Sequence, residues 1–242
     1  MPSVLPESTL LTLADTCLIS GHRLSEWCGH GPALEEDIAL TNTALDAIGQ
    51  ARALLQVVAA RRSPAITEDA LAYLREPAQF ANLALAAAPN TDYAHTVLRS
   101  LLLAAWLVPV WDALGHSSDH DIAAIAGNAA KEARVQRRHA RQWWVRFGDG
   151  TAESRRRAEA AVAALWPLTG ELSAVRIPGV DPDAVLSAWW DAVQDAFAEA
   201  TMPLPTAAPP LSGELAAQAA QWRHALLGEM QSLARQHPGA RW

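Results

Sequence analysis

Apolar residues along this 242-residue chain recur almost everywhere with helical spacing, and no alternating stretch is long enough for a confident strand. The clearest case follows the break at Gly29, Gly31 and Pro32. Leu34, Ile38, Leu45, Ile48, Leu54 and Leu55 recur at intervals of three, four and seven, which predicts one buried stripe on a helix over 32–62. Pro32 suits a first helical position, where the missing N–H is not needed. Glu35, Glu36 and Asp37 crowd the first turn, where the helix dipole favours negative charge. Arg61 and Arg62 close the last turn and Ser63-Pro64 stops it. Upstream, Ser8 is placed to cap a helix to about Trp27, with Leu10, Leu13, Cys17 and Leu24 on one side. Downstream, short helices are predicted near 68–75 and 78–87, bracketed by Pro64, Pro77 and Pro89. Thr91 caps the next, which ends at Gly115 as a C′ residue. Ser118 opens a long helix to Phe147, and Gly148-Asp149-Gly150 closes it. Thr151 caps another that Pro167 kinks or splits. Asp181-Pro182 starts a helix to about Ala200, residues 202–213 read as a proline-rich linker, and Ser212 caps the last helix.

Four of these helices are long, and their connections permit antiparallel neighbours. The expected fold is therefore all-α: a four-helix bundle with additional peripheral helices, in a single domain over residues 1–242. No repeat of 20–50 residues points to a solenoid. Half of the residues are apolar, enough for a sizeable core without staples. Cys17 and Cys28 lack metal-type spacing and read as free thiols in a reducing compartment. The first residues carry no basic segment ahead of an apolar run, so no signal peptide is expected. The longest apolar run, residues 101–111, falls short of the ~20 residues needed to span a bilayer. Together these predict a soluble, cytoplasmic protein.

A net charge of −7 disfavours a general nucleic-acid binder. Basic charge is nonetheless concentrated locally at Arg134, Arg137, Arg138, Arg141 and Arg146, followed by Arg155, Arg156 and Arg157. Such a run is first a solvated helix face with carboxylate partners; the sharper alternative is a patch for an acidic surface or a phosphorylated ligand. Ten tryptophans include the adjacent pairs Trp143-Trp144 and Trp189-Trp190. Neighbours on a helix cannot both face one core, so one member of each pair is expected at a loop or a subunit interface.

Candidate chemistry is sparse. Asp92 and His95 have ligand-like spacing, but Asp92 stands where a capping carboxylate belongs. Glu132, Gln136 and His139 share one helix face and read as a hydrogen-bonded polar cluster. His116, Asp119, His120 and Asp121 crowd a turn. Gly29-His30-Gly31 is a turn and not a nucleotide fingerprint, and no phosphate-binding loop is present.

Several segments in fixed order carry a family resemblance. They are residues 23–52, Leu13-Ala14-Asp15, residues 75–82 (REPAQFAN), residues 89–94 (PNTDYA), Lys131-Glu132-Ala133-Arg134 with Arg138-His139-Ala140, and Glu229-Met230-Gln231. Together they resemble the C subunits of the bacterial phenylacetyl-CoA epoxidases, multicomponent monooxygenases of aerobic phenylacetate breakdown. The resemblance implies a ferritin-like four-helix bundle that pairs with a catalytic A subunit. There, two iron ions activate dioxygen, and electrons arrive from NADPH through a separate reductase. Projecting the A subunit's Glu-x-x-His pattern places its first frame near Asn42-Thr43-Ala44-Leu45 and its second at Glu132-Ala133-Arg134-Val135. The lone carboxylate of the third helix falls near Leu103-Ala104. Only Glu132 has ligand chemistry, and one carboxylate does not hold a di-iron centre. The chain also departs from other C subunits, which usually carry Tyr-His where Val135 and Gln136 stand and often His-x-Glu-His where residues 219–222 stand.

The resemblance thus implies a structural subunit with no catalytic residue, no cofactor-binding residue and no metal ligand, and hence no cofactor of its own. Its expected partners are the A subunit and further members of the complex, with a homodimer open when it is alone, and neither nucleic acid nor membrane. Two alternatives remain at this point: an independent ferritin-like di-metal oxidase, and a helical module that binds acyl-CoA or a regulatory partner.

Overall fold

This computed structural model describes residues 4–240 of the chain, and among them all regular structure is helical. The helices are α1 (Glu7–Ser25), α2 (Leu34–Arg61), α3 (Glu68–Tyr73), α4 (Ala84–Ala87), α5 (Tyr93–Leu114), α6 (His120–Asp149), α7 (Ala152–Leu165), α8 (Pro182–Glu199), α9 (Gly213–Met230) and α10 (Ser232–Gln236). Two 3₁₀ segments, Pro77–Gln79 and Trp166–Ala174, interrupt the series. The described residues group into two compact units, one comprising Val4–Ala87 with residues 217–240 and the other Ala88–Ala216.

In the first unit α1 and α2 form a helical hairpin. Gly21 of α1 packs so closely on α2 that a Cβ there would lie 2.7 Å from Ile48 Cγ1 and 3.1 Å from the Ala44 carbonyl oxygen. Small side chains therefore form the buried face of α2: Ala44, Ala47 and Ala51, continued by Leu40, Leu54, Leu55 and Val58. Of the predicted stripe, Leu54 and Leu55 are buried as expected, and the structure corrects the N-terminal part. Leu34, Ile38 and Leu45 are 74%, 53% and 62% exposed and make an outward ridge. Where Gly21 brings the two backbones together, the adjoining buried positions of α2 are the alanines Ala44, Ala47 and Ala51. Ends differ too. Pro6 and Ala33 precede α1 and α2, so neither Ser8 nor Pro32 holds its predicted place. The acidic first turn stands as expected, and Asp37 also accepts the Gly31 N–H at 3.1 Å. The helix predicted over 78–87 is instead one 3₁₀ turn and one α-turn, separated by extended residues.

The second unit is built on α5, whose residues are nearly all buried. By length and composition α5 is apolar enough to cross a membrane, more so than a count of uninterrupted apolar residues indicates, yet 83% of its apolar window is buried inside the protein. Asp92, one residue beyond the predicted Thr91, caps it. Likewise Asp119 replaces Ser118 ahead of α6. Gly115 ends α5 in a right-handed conformation, so its lack of a Cβ is not what terminates the helix. Thr151 and Ser154 form the reciprocal cap that opens α7. Pro167 does split its helix, converting the continuation to 3₁₀, and Asp181 caps α8.

Aromatic packing closes this unit. Trp106, Trp111 and Trp144 are fully buried, and Trp144 and Trp166 lie 5.0 and 5.8 Å from Phe197. Each adjacent pair divides as the helix geometry demands. Trp144 and Trp189 turn inward, with Trp189 Nε1 donating to the Leu102 carbonyl at 3.0 Å. Trp143 and Trp190 are half-buried, Trp143 edge-on to Tyr93 at 5.1 Å. The proline-rich segment is held down as well. Trp166 Nε1 donates to the Thr206 carbonyl at 2.7 Å, and at Gly170 a Cβ would lie 1.8 Å from the Pro209 carbonyl oxygen, so only glycine fits.

Candidate functional site

The most connected polar site lies in the first unit, around Asp15. This aspartate sits mid-helix on α1 and is fully buried. It accepts two hydrogen bonds from the Arg75 guanidinium, one at 3.1 Å from Nη1, and a third from the Ala81 N–H at 2.9 Å. Arg75 also donates to the carbonyls of Leu71 and Gln79, and its guanidinium lies over the Phe80 ring at 4.0 Å. Gln231 reaches in from beyond α9, donating to the carbonyls of Ala72 and Arg75 at 3.1 and 3.0 Å. Arg235 then bonds Gln231 Oε1, the Arg75 carbonyl and Glu76. Beside Asp15, Thr16 Oγ1 accepts the Leu83 N–H at 3.0 Å.

Leu13-Ala14-Asp15, residues 75–82 and Glu229-Met230-Gln231, three of the segments that carry the resemblance, thus converge on one hub. The hub pins the irregular chain between α3 and α4, whose backbone groups find few partners in helices of their own. Burial pushes the Asp15 carboxyl above the usual carboxylate range, against the pull of Arg75 and the Ala81 N–H. Every polar arm of the hub is spent on the protein itself, so its chemistry is structural. Sequence reasoning did not single out Asp15 or Arg75 as partners. The available signal was an aspartate inside an apolar helix, at a position that must be buried.

The next segment, residues 89–94, has a similar task in the second unit. Asn90 Oδ1 accepts from Thr96 Oγ1 at 2.8 Å and from the buried Arg99, which also bonds the Ala88 carbonyl. Asp92 caps α5, accepting the His95 N–H at 3.0 Å and lying 2.7 Å from His95 Nδ1. The Asp92–His95 pair is therefore a cap, the structural alternative of the two readings of that motif.

The remaining candidates are scattered. Glu132, Gln136 and His139 lie half-buried on one face of α6. At the turn before it, His116 Nδ1 lies 2.8 Å from the Asp112 carbonyl oxygen and Asp119 is buried, whereas His120 and Asp121 are exposed. Gly29 adopts a φ of +79° in the turn before α2. Of the positions onto which the di-iron pattern projects, Asn42 and Leu45 are exposed on α2 and Leu103 and Ala104 are fully buried in α5. Among the described residues no three His, Cys, Asp or Glu side chains come together in a group that could hold a metal ion. Both cysteines are free thiols, Cys17 buried and Cys28 exposed.

Most of the arginines have partners. Arg134 pairs with Asp112, Arg141 with Glu199 at 2.7 Å, and Arg156 and Arg157 with Glu153 at 2.8 and 2.7 Å. The last two hold the pKa of the Glu153 carboxyl at about 2. Arg155 bonds the Thr201 carbonyl, and Arg146 lies over the Trp143 ring at 4.8 Å.

Comparison with known proteins agrees with the resemblance read from the segments. Residues 7–242 match the family described as phenylacetic acid catabolic protein, whose members are ferritin-like and helical. The chain is 39% identical over 241 residues to the C subunit of the 1,2-phenylacetyl-CoA epoxidase of Escherichia coli (strain K12), covering 96% of this chain and 97% of that protein.

Proposed function

This chain belongs to the phenylacetic acid catabolic protein family, and from that premise we propose that it is the non-catalytic structural subunit of a phenylacetyl-CoA epoxidase complex. In this reading its two units are parts of one ferritin-like domain over residues 1–242. The domain pairs with the di-iron A subunit and supports the helices that carry the metal ligands, because a preorganised ligand set needs a packed scaffold around it. It acts in the cytoplasm, with its two thiols reduced.

One observation carries the proposal: where the sister protein's ligand pattern projects, this chain has lost the chemistry. Leu103 and Ala104 are buried hydrocarbon and Leu45 is an exposed leucine, which leaves Glu132 as the single carboxylate among those positions. Polar segments that carry the resemblance are meanwhile occupied in backbone support around Asp15 and Asn90.

The test is elemental analysis of the chain purified alone and after co-expression with a di-iron A subunit. We expect the lone chain to carry no stoichiometric iron and the co-purified complex to carry it. Close to two irons on the lone chain would overturn the proposal and make the protein an oxidase in its own right.

A further inference from the structure

We propose that the arginine-lined cavity between α5, α6 and α8 binds the diphosphate group of a small organic anion. Arg134, Arg137, Arg138 and Arg141 stand at i, i+3, i+4 and i+7 on α6, so all four guanidiniums rise from one helix face. They line a cavity of about 370 Å³, with Leu101 of α5 and Ala192 and Asp195 of α8 on its other walls. That volume lies within the range of small-ligand sites.

Charge accounting within the cavity separates the four. Arg134 and Arg141 are each held by a carboxylate outside it, Asp112 and Glu199. Among the described residues, neither Arg137 nor Arg138 makes an ion pair or a hydrogen bond. Arg138 is exposed at the mouth and Arg137 is half-buried. Burial and repulsion from Arg134 and Arg141 push the Arg137 guanidinium below its ordinary range. A half-buried cation facing two others is stabilised by an anion that bonds several guanidiniums at once. Tetrahedral phosphates do this, because the planar arginine fork donates two parallel hydrogen bonds to them. Two linked phosphates offer acceptors for both of the cavity arginines that lack an ion pair among the described residues, Arg137 and Arg138. Asp195 is the opposing charge on the wall, and its repulsion weakens anion binding.

The inference rests on the cavity and not on the structural role, and the two fail separately, because it is tested on the intact chain with a probe that contains no metal and requires no partner. Isothermal titration with inorganic pyrophosphate at two ionic strengths should show saturable one-to-one binding that weakens with salt. Arg138→Gln, at an exposed position that folding does not require, should weaken it about tenfold, the equivalent of one charge-assisted hydrogen-bond pair. Arg137→Gln should do at least as much, Asp195→Asn should tighten binding, and Arg146→Gln on the same helix outside the cavity should change it less than about twofold. Coenzyme A, an organic diphosphate, should compete with pyrophosphate. Absence of saturable binding, an equal loss from Arg146→Gln, or failure of coenzyme A to compete would each overturn the proposal.

Discussion

Arg75 and Arg137 are both arginines drawn into helical packing, and their surroundings are opposite. Arg75 is buried with a carboxylate, two backbone carbonyls that its guanidinium reaches, and an aromatic face beneath that guanidinium. Arg137 is only half-buried, yet it faces like charges. The contrast separates a charge that the fold consumes from one that it leaves available. A buried ion has to be compensated within the protein, and the Asp15 hub does this from three distant segments. A partly solvated ion can remain uncompensated, and there a ligand gains most.

The largest test of this contrast is removal of Asp15. Asp15→Ala leaves Arg75 buried without its carboxylate, and urea unfolding should show a loss of about 3–5 kcal/mol. Arg75→Met added to that variant should recover part of the loss, since an uncompensated charge is worse than none. A loss below about 1 kcal/mol for Asp15→Ala would remove the distinction between the two arginines.

A second, intermediate effect concerns a half-buried titratable group in the same unit. Burial pushes the His22 imidazole below its ordinary value of 6.5, opposed by Glu26 and Glu229. Above that value the histidine is neutral in both folded and unfolded chain. Below it the unfolded chain takes up a proton that the folded chain resists, so stability falls as the pH drops, by at most about 1.4 kcal/mol per pH unit. Denaturation followed from neutral to mildly acid pH should show that decline, and His22→Gln should flatten it. An unchanged slope in the variant would show that His22 is solvated in the folded state.

The smallest effect is expected at the exposed arginines. Glu153 is hydrogen-bonded to Arg156 and Arg157 at good distances, but all three side chains are open to solvent. Glu153→Gln should leave the urea midpoint at neutral pH indistinguishable from that of the unchanged protein, because exposed pairs are screened and their side-chain ordering offsets the attraction. A loss comparable to that of Asp15→Ala would mean that ion-pair geometry, and not burial, governs charge in this fold.

Helix positions were legible because their signals are local. Asp181-Pro182, Thr151 and the acidic start of α2 act within one or two turns, and the structure places each at or beside its predicted site. The capping reading of Asp92 was legible for the same reason, since the backbone N–H that it satisfies is three residues away. The buried face of α2 was legible only in part: Leu54 and Leu55 lie on it as predicted, whereas Leu34, Ile38 and Leu45 do not. Leucine and alanine both carry the helical period, and the choice between them depends on how closely Gly21 brings α1, which no spacing within α2 encodes.

By itself, then, the sequence determined the all-α class, the number and approximate ends of the long helices, and the family to which the ordered segments point. These follow from hydrogen bonds and side-chain periods that close within a few residues. Only the tertiary structure decided what the segments do. Asp15 meets Arg75 across 60 residues, and Gln231 reaches the Ala72 carbonyl across 159. Only the tertiary structure, too, sorted the arginines of α6 into paired and unpaired. Electrostatic compensation depends on distance in space and on burial, and a linear pattern contains neither until the chain has closed on itself.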